Sequence, residues 1–381
     1  MKILVCNAGS TSLKFKVYAF PEETVLARGR VERVGAEAGS LYFFESADGR
    51  RVTDDKARAR TYEEGIERFL RDLGGAEDVD AVAYKAVLSK GFPGVHVIDE
   101  NVMDGMRAFL SVAPVHNRAY IGAIEAFQRL APNAVHVASF ETAFHRTVPF
   151  HRRVYGVPYE WYEKYGVARM GYHGASHSHI ASQLAGYSRV VSCHLGGSSS
   201  ICAIRDGKSV DTSFGLSLQA GVTHVNRAGD IDPYIMPFLL REGMPYDEVL
   251  AGLEKKGGLA GIAGMSGDMR DLRAAAGRGN ERAALAIRVF TSDVRRDIGA
   301  FAAEMGGLDA LAFTGGIGEN DAASRREICE SLGFLGVEID ESKNLANERM
   351  IGRGRTAVFV IPADEERVVA ENAWKLLNRE A

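Results

Sequence analysis

The sequence predicts an α/β chain made of a duplicated domain. Three observations carry this: an internal repeat, strand-like apolar runs alternating with amphipathic helices, and a length beyond one ordinary core. The chain has 381 residues, and single cores stop growing at roughly 250–300 residues, so two domains are expected. Composition is globular, with 46% hydrophobic and 25% charged residues. A formal net charge of −4 and a pI near 6.2 give no electrostatic case for nucleic acid or an anionic membrane as partner.

The repeat is visible by eye. Lys2-Ile-Leu-Val-Cys-Asn7 leads through Ala-Gly-Ser-Thr-Ser12 into Leu13–Val17. Arg189-Val-Val-Ser-Cys-His194 leads through Leu-Gly-Gly-Ser-Ser199 into Ser200–Ile204. Each copy is an apolar strand ending in Cys and a polar residue, then a Gly/Ser loop, then a second strand. Leu13, Phe15 and Val17 alternate with lysines, as a half-buried strand requires. The loop is too short for a βαβ crossover, so each copy predicts a hairpin. The copies start about half a chain length apart, which points to duplication.

The other elements follow in chain order. Residues 80–88 are strand-like, 119–131 read as a short amphipathic helix, and 134–140 as a strand. Residues 280–305 predict the clearest helix, with Ile287, Phe290, Val294, Ile298, Phe301 and Met305 at helical spacing and Gly306-Gly307 as its stop. Strands are expected at 310–314 and 356–362. Charged stretches at 45–60 and 341–355 read as loops or exposed hairpins.

The first apolar run is only four residues long, too short for a signal-peptide core, and no stretch approaches the ~18 apolar residues of a membrane helix. Cys6, Cys193, Cys202 and Cys329 make no CxxC pair, so a reduced, cytoplasmic protein is expected.

Glycine is the compositional outlier, at 42 residues, and it falls in bursts. Asn7–Ser12 followed by Lys14, and Gly196–Ser200 after His194, read either as plain β-turns or as backbone stripped down to approach phosphate oxygens. Neither matches GxxxxGK[ST] or GxGxxG. Two such hairpins in one chain favour the phosphate reading. Thr314-Gly-Gly-Ile-Gly-Glu-Asn320 leaves a strand as a glycine loop leading toward a helix, a place for a nucleotide or an ordinary turn. Gly261–Arg270 is a fourth glycine-rich loop, ending in an Asp268/Arg270 pair.

Polar groups stand beside these bursts. Arg227 precedes Asp230 and Asp232, either to stabilise phosphoryl charge or to form a salt-bridged surface turn. His173 and His177 have the spacing of two zinc ligands on one helix face, but no HExxH glutamate accompanies them. Glu141 follows a strand, where a carboxylate can face a cleft. Asp364-Glu365-Glu366 reads as a helix start or a Mg²⁺ site.

Taken in order, these segments resemble the acetate kinase family of the sugar-kinase and actin-like ATPase superfamily. The match is densest in Asn7–Ser10, Ala113–Asn117, Glu141–His145, Tyr172–His177, Cys193–Gly196, Asp206–Ser213, Gly229–Pro233 and Thr314–Asn320. The resemblance implies two duplicated actin-like (ribonuclease H-like) α/β domains with mixed sheets flanked by helices and an active site in the interdomain cleft. The acceptor-side domain is expected at 1–142 plus 367–381 and the nucleotide-side domain at 143–366. It also implies a homodimer that transfers phosphoryl from ATP to a short-chain carboxylate, reversibly and with Mg²⁺.

The family roles carry over by position. Asn7 and Glu365 match residues that organise Mg²⁺. Lys14, then His194, Leu195, Gly196, Gly197 and Ser198, then Asp268, Met269 and Arg270, then Gly316, Ile317, Gly318, Glu319 and Asn320 match nucleotide contacts. His173 and Arg227 match residues that stabilise the transferring group, and His116 matches a further active-site histidine.

The chain also departs from the family. Ala83–Lys90 replaces Gly-His-Arg-Val-Val-His-Gly-Gly, so Lys85 stands where a carboxylate-binding arginine is expected and lacks its bidentate fork. Glu141 replaces the catalytic aspartate, Gly197-Ser198 replaces Asn-Gly, Leu218 replaces a proline, and His224-Val225-Asn226 replaces Met-Gly-Thr. Phosphoryl handling is expected to be retained and acceptor recognition altered. The alternatives are a different acceptor or phosphoryl donor, a nucleotide-binding regulatory protein without transfer activity, and a zinc hydrolase.

Overall fold

The computed structural model describes residues 1–9 and 11–378. The chain divides into two compact units, Met1–Arg146 with Asp364–Ala381, and Thr147–Ala363. The division falls a few residues from the expected positions 142/143 and 366/367.

In the first unit the strands are β1 (Lys2–Gly9), β2 (Ser12–Ala19), β3 (Thr24–Glu32), β4 (Ser40–Ser46), β5 (Arg51–Ala57), β6 (Ala81–Tyr84), β7 (Val95–Val97) and β8 (Val135–Ser139). They form one sheet in the order β5-β4-β3-β2-β1-β6-β8-β7. In the second unit β9 (Arg189–His194), β10 (Ser200–Arg205), β11 (Lys208–Thr212), β12 (Ala310–Thr314) and β13 (Ala357–Val360) form a sheet in the order β11-β10-β9-β12-β13.

The same motif underlies both. An antiparallel meander, β1-β2-β3 or β9-β10-β11, is extended by two parallel strands, β6 and β8 or β12 and β13. The registers match too: Cys6 lies beside Tyr84 and Cys193 beside Phe313. Both repeats of the sequence are therefore hairpins at equivalent central positions. Ile3, Leu4, Val5 and Cys6 are all buried, because parallel central strands are covered on both faces.

The long helix spans Glu281–Met305. The Asn280 side chain accepts from the Ala283 N–H, and Gly306, at φ 70°, closes it. Its expected apolar stripe is buried against Val191, Cys193 and Ile201 of the sheet. The helix expected at 119–131 begins earlier, spanning Pro114–Leu130, because a proline is well suited to a first helical turn.

The stretch 45–60 takes the hairpin form of its two expected readings: β4 and β5 pair antiparallel at the sheet edge, with Phe43 and Phe44 opposite Thr53 and Val52 and β5 mostly exposed. Within 341–355 a short helix forms at Glu341–Leu345. The glycines of 315–320 are not a loop. They form a helix, Gly315–Asn320, whose first residue has φ +79° and would place a Cβ 2.7 Å from the Leu195 carbonyl. Only glycine fits there.

Candidate active site

In both units the chemistry-bearing residues gather at the carboxyl ends of the central strands, where open α/β sheets place their ligand sites. In the first unit Asn7 ends β1, Lys85 follows β6 and Glu141 follows β8. Glu365 and Glu366 open the Glu365–Leu377 helix, where the helix dipole favours carboxylates.

Tyr120 donates its hydroxyl to Asn7 Oδ1 at 3.1 Å, and Asn7 Nδ2 donates to Glu366 Oε1 at 3.5 Å. Lys85 Nζ lies 2.6 Å from Glu365 Oε2 and 3.1 Å from Glu141 Oε1, and the three side chains are only 13%, 15% and 9% exposed. Burial opposes the ammonium charge, but Glu141 and then Glu365 outweigh it and hold Lys85 well above the ordinary lysine range.

The expected acceptor anchor is therefore committed to two carboxylates. Tyr84 faces the other way: it is buried, and its hydroxyl meets His136 Nδ1 at 2.8 Å. Leu88 and Ser89 are packing residues, with Ser89 Oγ donating to the Val102 carbonyl. Lys14 pairs with Asn7 across the hairpin. His116 sits in the first turn of the Pro114–Leu130 helix with an exposed side chain.

In the second unit the site is a knot of histidines and hydroxyls. His173 has left-handed backbone angles, φ 56° and ψ 29°, just before the Gly174–Gln183 helix, a costly conformation for a non-glycine residue that tends to occur at functional sites. Its Nδ1 is 2.9 Å from Ser200 Oγ, and its ring lies 4.1 Å from that of His194. His194 Nδ1 meets Ser176 Oγ at 2.8 Å. His177 reaches Ser192 and Ser200 through its two ring nitrogens, each at 2.8 Å. Both nitrogens are thus occupied by hydroxyls, which removes the zinc reading of the His173/His177 spacing. Among the described residues no three His, Cys, Asp or Glu side chains group around a metal position.

Arg227 is partly buried, and its guanidinium has no hydrogen-bond or ion-pair partner among the described residues. Burial alone pulls its pKa down to about 10. The neighbouring acids do not serve it. Asp230 accepts from the Gly221 N–H and Asp232 from the Tyr234 N–H, so the surface-turn reading fails. A partly buried cation without a counter-ion is unfavourable on its own and is suited to receive an anion.

Sequence reasoning missed the role of His224. It is fully buried, its Nδ1 accepts from the Ser199 N–H at 3.1 Å, and its Nε2 donates to the Ala220 carbonyl at 3.1 Å. Its ring stacks on Phe214, which also packs edge-on against His173. The Val225 N–H donates to Gly197 O. Two of the departures from the family pattern in this unit, at 197–198 and 224–226, are therefore in contact.

Burial, and then Arg227, hold His224 down to about 3, so it is neutral at physiological pH. Its unfolded pKa is about 6.5. Its contribution to stability is thus complete above about pH 6.5 and is lost as pH falls toward 3. Asp297, lifted by burial to about 7, titrates with the opposite sign, so the useful quantity is a difference. His224→Asn keeps an acceptor for Ser199 without titrating. Between pH 6.5 and 4, urea denaturation should show wild type losing about 3 kcal/mol relative to this variant; parallel pH profiles would refute the assignment.

A cavity of about 780 Å³ opens in the same unit, within the usual range for small-molecule sites. Of the expected nucleotide contacts, Gly196, Gly197, Asp268, Met269, Arg270, Gly316, Ile317 and Asn320 line it. Ser266 and Gly267, from the fourth glycine-rich loop, and Val225, from the 224–226 replacement, also line it; Arg273 and Asp321 line it too and had no signal in the sequence. Asp268 caps the Met269–Gly277 helix and pairs with Arg270 at 2.6 Å.

Other expected contacts are used to build the wall. Leu195 is buried, and its carbonyl accepts from the Ile317 and Gly318 N–H groups. Glu319 Oε1 accepts from the Gly315 and Ala363 N–H groups. His194 and Ser198 lie beside the cavity lining in sequence but outside it.

The profile of the Acetokinase family matches residues 2–371. The acetate kinase of Shouchella clausii is 40% identical over 98% of this chain and 99% of its own length. Among solved structures, acetate kinase from Porphyromonas gingivalis superposes with a TM-score of 0.87 at 33% identity, covering 99% of both chains. A propionate kinase from Francisella tularensis gives 0.89 at 32% identity, covering 97% of this chain and 98% of its own. The repeated sheet motif is the duplicated actin-like fold of these enzymes, and the chain belongs to the acetokinase family.

Proposed function

We propose that this chain is an ATP-dependent phosphotransferase that converts a short-chain carboxylate to an acyl phosphate, reversibly. The observation that carries the reading is Arg227, a partly buried guanidinium with no counter-ion among the described residues, in a chain of this family. Relatives named for acetate and for propionate support a small acid as the acceptor.

The glycine walls Gly196-Gly197 and Gly316-Ile317, with Asp268–Arg270, hold the nucleotide in the second unit. Arg227 and His173 neutralise the oxygens of the transferring phosphoryl group, so that catalysis is chiefly positioning and electrostatics. Ser200 orients His173 through Nδ1. In the first unit Asn7, Glu141 and Glu365 are hard oxygen donors, the set that suits Mg²⁺. When bound there, Mg²⁺ supplies positive charge that offsets the phosphate oxygens. The first unit is the acceptor side and the second the nucleotide side.

The enzyme works as a cytoplasmic homodimer. No helix among the described residues is long and apolar enough to cross a membrane. Size-exclusion chromatography with light scattering tests the dimer.

The reaction is tested by incubating the protein with ATP, Mg²⁺, hydroxylamine and acids of two to six carbons. A hydroxamate product with acetate or propionate is expected. ATP binding with no hydroxamate from any acid would overturn the reading and favour a nucleotide sensor.

A further inference from the structure

Two of the departures from the family pattern are partners of each other. Lysine for arginine at 85 and glutamate for aspartate at 141 meet as an ion pair at 3.1 Å, and the same ammonium lies 2.6 Å from Glu365. The added methylene of Glu141 lengthens its reach, and the compact ammonium of Lys85 offers three donors to oxygens on two sides. The ammonium thus sits against two of the three oxygen ligands assigned above to the divalent cation. All three side chains are nearly excluded from solvent, so the pair is weakly screened.

We infer that Lys85 is a resident counter-ion that competes with a divalent metal for Glu365 and Glu141, so that residue 85 sets the metal affinity of this chain. The inference rests on reading Asn7 and Glu365 as metal-holding residues. Lys85 has to withdraw from Glu365 before that carboxylate can serve a metal. Its flexible four-carbon stem permits the withdrawal, which a forked guanidinium held by two bonds would resist. Once withdrawn, the ammonium is able to hold an anionic acceptor, as the sequence led one to expect.

The test is Mn²⁺ binding to the full-length protein without nucleotide or acid, followed by electron paramagnetic resonance. Lys85→Met removes the competitor at similar length, and its Mn²⁺ dissociation constant should fall by about tenfold or more. Equal or weaker binding overturns the inference. If the variant does not fold, wild type decides: Mn²⁺ should speed acylation of Lys85 by an N-hydroxysuccinimide ester, read by peptide mass spectrometry against exposed Lys2 as control. An unchanged rate at Lys85 overturns the inference. Hydroxamate formation is scored separately. Inactive protein showing the affinity shift refutes the proposed reaction alone, and active protein lacking the shift refutes the inference alone.

Discussion

Arg227→Met should lower kcat for hydroxamate formation by about 10²–10³-fold, the scale for losing one preorganised group that meets developing charge. It should also stabilise the second unit. Both effects have one origin. Arg227 is partly buried without a partner among the described residues, and desolvation pulls its pKa down to about 10. The native state holds the guanidinium proton less tightly than the unfolded state does. The charged form is therefore penalised by about 3 kcal/mol at any pH below about 10. Methionine fills similar space without the charge, so urea denaturation at pH 7 should show a gain of about 1–3 kcal/mol after packing losses. A lower kcat with unchanged KM for the acid would mean that the guanidinium acts on the transition state rather than on acceptor binding. Turnover within threefold of wild type would remove Arg227 from the mechanism.

How much of this could be read in advance depends on the range of the interaction. The hairpins at Cys6 and Cys193, the helix ending at Met305 and the strand at Ala310–Thr314 are set by local periodicity and were legible. The glycines at 315–318 were read as a nucleotide loop and not as a helix, because Gly315 owes its left-handed angle to contact with Leu195, more than a hundred residues away. Lys85 was read only as the acceptor anchor because its partners lie at Glu141 and Glu365, distant in sequence and brought together by the fold. His224 looked like an unexplained replacement, because its partner is a backbone N–H at Ser199 that carries no sequence signal. Arg227 was singled out for phosphoryl charge, but local sequence suggested that Asp230 and Asp232 were its partners. The fold turns both into turn caps instead.

Gly258→Ala should be among the most damaging single-methyl changes in the second unit. Gly258 opens the Gly258–Ala263 helix with φ +63°, a conformation that costs an L-residue of order 1 kcal/mol. Sterics add more. A Cβ there would lie 2.2 Å from the His224 carbonyl and 2.8 Å from both the nitrogen and the oxygen of Arg227. These are backbone atoms, so no side-chain rotation relieves the clash, and the 224–227 turn has to move. That turn is also bonded to the helix, since the Leu259 N–H donates to His224 O and the Ala260 N–H to Val225 O. The expected loss is at least about 3 kcal/mol in urea denaturation. Where circular dichroism shows the variant still folded, kcat should fall by about 10²-fold, because the displaced segment carries both the arginine proposed to bind the phosphoryl group and the histidine that fixes Ser199. Gly277→Ala is the control. It ends the Met269–Gly277 helix with nothing within 4 Å of an added Cβ and no positive φ, so it should change stability by less than about 1 kcal/mol and leave turnover intact. If Gly258→Ala melts and turns over like that control, the contact between the 258–260 backbone and the arginine turn does not position the site.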